Sequence, residues 1–241
     1  MPRPAFLLLA AGLWCSGLHG QAVRDITFVA PTNLSMPLAH FDGDQLDAGI
    51  LKDLGDAIAQ RLGMRARFLP QPSKRVGPAL LQGKADGVCY VLPRWLDGSF
   101  DWSPPVIPNA GVVAASSDTP PLRVVTDLAD KPLGTVLGYR YPEFEEALGS
   151  HFLREDAPTM DANIRKLAAG RMRYAIVELN SLAYFLRGEP TARLKPVLPI
   201  STFTTQCAFS RQSKLPFTQV NEAVTALLAD GSVERILARY R

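Results

Sequence analysis

The sequence predicts an α/β protein of two lobes, each a mainly parallel sheet flanked by helices, with two extended crossings between them. Three observations predict it. From residue 26 to residue 92 the pattern runs β-α-β-α-β, the order that builds a parallel sheet with helical crossovers. From residue 132 to residue 188 a second run repeats that logic. Extended segments near 112–118 and 196–204 connect the runs, and two lobes joined in this way can close on a ligand by a hinge.

In order along the chain, ITFVA (26–30) reads as a strand. A helix follows, in which Ile50, Leu51, Leu54, Ile58 and Leu62 recur at 3.6 spacing until Gly63 stops it. ARFLP (66–70) is a strand, RVGPALLQG (75–83) a short helix and ADGVCYVL (85–92) a third strand. Pro104 to Ser117 is extended and apolar. PLGTVLG (132–138) is a buried strand with Pro132 at its first position, where it is tolerated. PEFEEALGSHF (142–152) begins a helix, with Pro142 and acids in its first turn. Thr159 caps a helix carrying Met160, Ile164 and Leu167, closed by Gly170. YAIVEL is a strand, SLAYFLRG a helix and LKPVLPI extended; two amphipathic helices end the chain. The predicted organisation is lobe 1 from 23–114 plus 203–241, and lobe 2 from 115–202.

The first 22 residues stand apart. MPRP carries Arg3, AFLLLAAGLW is an apolar run, and Gly20 and Ala22 fit the −3 and −1 positions of a cleavage site. That is the order of a secretory signal peptide cleaved near Ala22. The apolar run is well short of the ~20 residues a membrane span needs, so the expectation is an exported protein with no stable membrane insertion. The formal net charge is +3, with both signs spread along the chain and no basic block, which argues against nucleic acid as a partner. His40 and His151 stand far apart without metal-ligand spacing, so no metal and no cofactor is expected. Beyond the leader two cysteines remain, Cys89 and Cys207. In an oxidising compartment they form a disulfide or stay as two buried thiols.

Six stretches in order resemble the polar amino-acid binding family of periplasmic solute-binding proteins: FDGDQLDAGILKDLGDAIAQRLG, LLQGKADG, PRW…FDWSPPV, DLADKPLGTVLGYRY, AAGRMRYAIVE and LLADGSVERILARY. The resemblance implies a type II periplasmic binding fold and a small polar solute, an amino acid or related carboxylate, bound between the lobes. It implies delivery to the permease of an ABC transporter, with the protein as a monomer. It places Arg94 on the ligand's carboxylate, as a planar guanidinium suits; the alternative is an ion pair with Asp97 or Asp101. It places Glu178 on the ligand's amine, one methylene longer than the family's aspartate; the alternative is an acid serving the helix start at Ser181 and Leu182. The turn Gly138–Tyr141 would offer backbone donors, with Arg140 adding charge and Tyr139 covering the ligand, or it is an ordinary turn. Met36 stands where the family carries an aromatic platform, for which Tyr90, Trp95, Trp102 or Phe41 would substitute unless they pack in the core. The family's strand order sets Cys207 beside Cys89. Two further readings remain. One is a dehydratase-like enzyme on the same fold, although the chain carries no GxSxG, P-loop or HExxH motif. The other is a sensor that signals to a receptor.

Overall fold

The computed structural model describes residues 24–241; the signal peptide expected over residues 1–22 lies outside the described residues. β1 (Asp25–Pro31) leads into a small hairpin, β2 (His40–Asp42) and β3 (Gln45–Ala48). α1 (Ile50–Arg61) then buries Ile50, Leu51, Leu54 and Ile58, the stripe its spacing predicts. Gly49, with φ 113°, lets the helix start hard against the preceding loop, because a Cβ there would stand 2.5 Å from the Leu38 carbonyl oxygen. β4 (Arg65–Gln71), α2 (Ser73–Leu81) and β5 (Gly87–Val91) complete the first run.

β6 (Asp101–Trp102) and β7 (Ile107–Ser116) lead across to β8 (Leu133–Val136). α3 (Pro142–Leu148), β9 (Arg154–Ala157), α4 (Met160–Ala168), β10 (Tyr174–Glu178) and α5 (Leu179–Gly188) follow. Thr159 caps α4 as its sequence predicts, its hydroxyl oxygen accepting from the Ala162 amide at 3.1 Å. The chain returns through β11 (Leu194–Phe209) and ends in α6 (Phe217–Ala229) and α7 (Ser232–Ala238). Three details differ from the sequence reading. The helix expected over 142–152 stops at Leu148, where Gly149 takes φ 52° and a short 3₁₀ turn follows. β9 and the β2–β3 hairpin have polar, mostly exposed sequences without a readable alternation. The second crossing and the strand after it are one 16-residue strand.

The strand order is β4-β1-β5-β11-β7-β10-β8-β9, with β6 beside β11. β1 pairs in parallel with β4 and β5, and β8 pairs in parallel with β9 and β10. β7 and β11 run antiparallel between these groups from Leu194–Ser116 to Thr205–Ile107, with register shifts at Pro196/Leu198 and Pro199/Ser201. The far end of β11 then pairs with β5, with Cys207 opposite Cys89. The buried core divides along the same line. Two hydrophobic clusters draw on residues 26–107 and 207–237, and two others on residues 112–198. Tyr139 packs against clusters of both sets. Among the described residues, no helix is long and apolar enough to cross a membrane.

Candidate functional site

A cavity of about 710 Å³ opens between the two sets of clusters, within the ~300–1,000 Å³ span of ligand pockets. Its floor is made where β5 and β10 end and β7 begins. Tyr90, near the end of β5, has φ 67°, a conformation that a bulky residue adopts only when its surroundings hold it there. The Asn109 side chain supplies that hold, donating from Nδ2 to the Tyr90 hydroxyl at 2.5 Å. Its Oδ1 accepts from the Ala110 and Asn180 amides, so one buried carboxamide ties β5, β7 and the start of α5 together.

Glu178 closes β10 and stands at the N-cap of α5, yet its side chain makes no cap hydrogen bond. It is 8% exposed, and its Oε2 has no hydrogen-bond partner. The buried Tyr139 hydroxyl and Ser181 Oγ also lack partners. Burial pushes the Glu178 carboxyl up to about 7, with the Tyr90 and Ser181 hydroxyls opposing that rise. Burial and the neighbouring Glu178 raise the Tyr90 and Tyr139 hydroxyls well above their ordinary value. Both tyrosines therefore stay neutral donors at neutral pH. The unpartnered Glu178 Oε2 and Tyr139 hydroxyl belong to residues of the cavity wall and leave hydrogen bonds for a ligand to complete.

The rim is built differently. Pro93–Trp95 forms a 3₁₀ turn, and Arg94 projects with 48% of its side chain exposed. Its guanidinium faces Glu143, at the start of α3, at 3.6 Å. Arg140 makes the reverse pairing, reaching Asp97 at 3.1 Å. Asn33 adds a further tie between the lobes, donating to the Leu137 carbonyl at 3.1 Å while its own carbonyl accepts from the Met160 amide. Behind the rim Arg154 braces the 136–141 turn. It donates to the Val136 and Tyr139 carbonyls, pairs with Asp156 at 2.8 Å and lies over the Tyr141 ring. At Asp156 burial pushes the carboxyl up, and the Thr135 hydroxyl, Arg154 and Lys74 outweigh it, leaving the group below its ordinary value.

Set against the sequence reading, the cavity wall brings together Glu178, Tyr90, Trp95, Tyr139, Arg94 and Arg140. Met36 is a correction: it stands outside the wall. The loop is anchored by Asn33, and by Ser35 Oγ, which accepts from the Asp161 amide, so Pro31 and Leu34 face the cavity instead. The 138–141 turn does not offer the Tyr139 and Tyr141 amides, because they already donate to Val136 O and Glu145 Oε1. Arg94 pairs with neither Asp97 nor Asp101; those carboxylates hold Arg140 and Arg211. Trp102 and Phe41 pack against core clusters, and of the four aromatic substitutes Tyr90 and Trp95 reach the cavity. Cys89 and Cys207 form a disulfide behind Tyr90. Sequence reasoning missed Asn109, Glu143, Arg154 and Phe203, whose roles depend on partners far along the chain. His40 pairs with Asp47 and His151 with Asp130, on separate exposed surfaces.

The family described as bacterial extracellular solute-binding proteins, family 3, matches residues 29–241. Among curated proteins, none matches the chain in sequence. Among solved structures, an ancestral arginine-binding protein bound to arginine superposes with a TM-score of 0.76 at 18% identity, covering 90% of this chain and 97% of that one. A histidine kinase sensor domain with similarity to periplasmic binding proteins gives 0.74 at 24% identity, covering 90% and 96%. An ancestral amino acid-binding protein, a precursor of cyclohexadienyl dehydratase, gives 0.73 at 16% identity, covering 90% and 94%. The shared fold is the two-lobed type II periplasmic binding fold.

Proposed function

The chain belongs to the bacterial extracellular solute-binding proteins, family 3, and from that premise we propose that it captures a small amine-bearing solute, an amino acid or a close relative, between its lobes. The observation that carries the reading is Glu178, a buried carboxyl at the cavity floor with an unpartnered oxygen. A buried acid without a cation is costly, and a ligand ammonium both neutralises it and completes its hydrogen bonds. Solved relatives of the same fold include proteins bound to arginine and to L-glutamate, which supports an amino-acid-like solute. After export by its N-terminal leader, the protein would carry the solute as a monomer to the permease of an ABC importer.

Titration of the protein with amino acids, amines and small acids, read by melting and calorimetry, tests the capture. A ligand at ~100 times its dissociation constant raises the melting midpoint by roughly 5–11 °C for a chain of this size. A panel without any response would sink the reading. One observation favours a second reading, catalysis: a carboxyl near 7 in a buried pocket is placed as a general acid, and one structural relative is a dehydratase precursor. Recovery of each binding ligand chemically unchanged after prolonged incubation excludes turnover; appearance of a dehydrated product establishes it.

A further inference from the structure

Given the reading of the cleft as a solute site, one glycine of its wall calls for an occupant. Gly111 lies inside β7 and lines the cavity. Glycine weakens the interior of a strand, because it has more freedom to lose and no side chain to pack. Elsewhere among the described residues a glycine takes a positive φ, stands where an added Cβ would come within 3.0 Å of a neighbour, ends a helix or, at Gly77, precedes a proline, where a Cβ crowds helical backbone. Gly111 does none of these. A Cβ there would meet Ser201 Oγ at 3.7 Å and Ile200 Cβ at 3.9 Å, both ordinary contacts. The register shift between Pro199 and Ser201 lies opposite, and even so the space is free.

Across the ladder Gly111 stands opposite Glu178 on β10 and Ser201 on β11, and all three line the cavity. Directly opposed residues share a face of the sheet, so a side chain at 111 would project into the cavity between them. Its absence leaves a notch in the floor, in a wall to which Ile200, Phe203 and Trp95 add apolar surface. The cavity has room to match. The pairs Arg94–Glu143 and Arg140–Asp97 and the Asn33 contact already tie the lobes, yet about 710 Å³ remains. With each non-hydrogen atom allowed the ~30 Å³ of a liquid water, the roughly fifteen of tryptophan would take about 450 Å³. Leu81 of lobe 1 and Leu137 of lobe 2 also line the space while 47% and 58% exposed. Exposed apolar side chains on both sides of a cleft suit an apolar segment of a ligand.

We infer that Gly111 is a specificity-determining residue, and that the solute is an amino acid carrying an apolar extension (an acyl or aryl group, or a second apolar residue) that makes it larger than a single amino acid. The body of the solute lies on the bare backbone of β7 at Gly111, and the extension runs along Leu81 and Leu137. A side chain at 111 would suit the strand and fill the space the solute needs, the trade of stability for function that binding sites make.

The test is calorimetry and thermal melting of the protein, Gly111→Ala and Gly111→Val with L-leucine, L-lysine, L-phenylalanine and L-arginine, beside two extended probes, L-leucyl-L-leucine and Nε-benzoyl-L-lysine. At least one extended probe is expected to bind about tenfold or more tightly than its parent amino acid, and which one does so tells where the extension is attached. Gly111→Ala is expected to leave the ligand-free melting midpoint unchanged or raised, since space and backbone both admit the added carbon. Gly111→Val is expected to weaken the bound probe by about tenfold or more. Stability kept while affinity is lost separates contact with the solute from a structural role. If the amino acids bind as tightly as their extended forms, or Gly111→Val leaves affinity unchanged, the inference is overturned while capture of an amine-bearing solute stands. If Gly111→Ala lowers the ligand-free midpoint by more than ~2 °C, β7 itself needs the glycine and the inference is overturned as well. If nothing in the panel binds, both readings fall.

Discussion

The floor and the rim of the cleft are both charged, and they are charged in opposite ways. At the floor one acid, Glu178, is buried among neutral hydroxyls with an oxygen left unpartnered. At the rim, Arg94 with Glu143 and Arg140 with Asp97 form crossed pairs between the lobes, with roughly half of each arginine side chain in solvent. The contrast teaches where electrostatics has consequence. Water screens the rim pairs, and exposed pairs of this kind contribute ~0–1 kcal/mol each. At the floor water is excluded and no cation faces the carboxyl, so burial raises it with only the Tyr90 and Ser181 hydroxyls opposing.

Four measurements test this contrast between a buried charge and solvent-facing pairs. The floor is backed by the Cys89–Cys207 disulfide, which closes a separation of 118 residues. Replacing both cysteines by serine is expected to cost about 2–5 kcal/mol in denaturant unfolding; a loss under ~1 kcal/mol would mean that the floor does not depend on this link. The second effect is pH dependence. With the Glu178 carboxyl raised from 4.5 to about 7, its contribution to ligand-free stability is fully present below pH 4.5 and is lost as pH rises through 7. The full swing is roughly 3 kcal/mol. Melting curves of the protein and of Glu178→Gln, compared between pH 4.5 and 8, isolate that swing, because every other titrating group is common to both. Parallel curves would show that the floor acid is solvated.

Third, Tyr90→Phe removes the hydroxyl that satisfies Asn109 and is expected to cost about 1–3 kcal/mol. A neutral result would mean that water or another group takes over the carboxamide. The smallest effect belongs to the rim. A double-mutant cycle on Arg94→Ala and Glu143→Ala is expected to give a coupling under ~1 kcal/mol that shrinks as salt is raised. A larger, salt-resistant coupling would make the rim a lock between the lobes, and the distinction from the floor would disappear.

Much of this site was legible before any coordinates. YAIVE reads as a buried strand, so an acid at its end falls at the C-terminal edge of a parallel sheet, where ligands bind in open α/β sheets. Tyr90 and Trp95 are visible as aromatic residues at the end of ADGVCYV, although nothing local separates them from Trp102, which went into a core cluster. The role of Arg94 was not legible. Its residue type suits a carboxylate clamp although its spacing departs from the family's, and the carboxylate it meets in the structure belongs to Glu143, 49 residues further on and in the other lobe. The Tyr139 and Tyr141 amides of the 138–141 turn were misread for a related reason: whether they are free depends on Val136 and Glu145. β9 escaped because REDA, an edge segment with exposed charges, lacks the alternation that marks a half-buried strand.

Short-range chemistry sets the order and type of the main elements, the apolar stripes that build the cores, the turns that glycine permits and the acid at the end of β10. Those follow from φ/ψ preference and side-chain periodicity, which act over a few residues. Which charges pair and which stand alone emerges from long-range packing. Ion pairing and burial fall steeply with distance in space and are indifferent to distance along the chain. Among the described residues, the four cations and five acids of the wall could pair in many ways, and the fold pairs three arginines with carboxylates while Glu178 meets no cation.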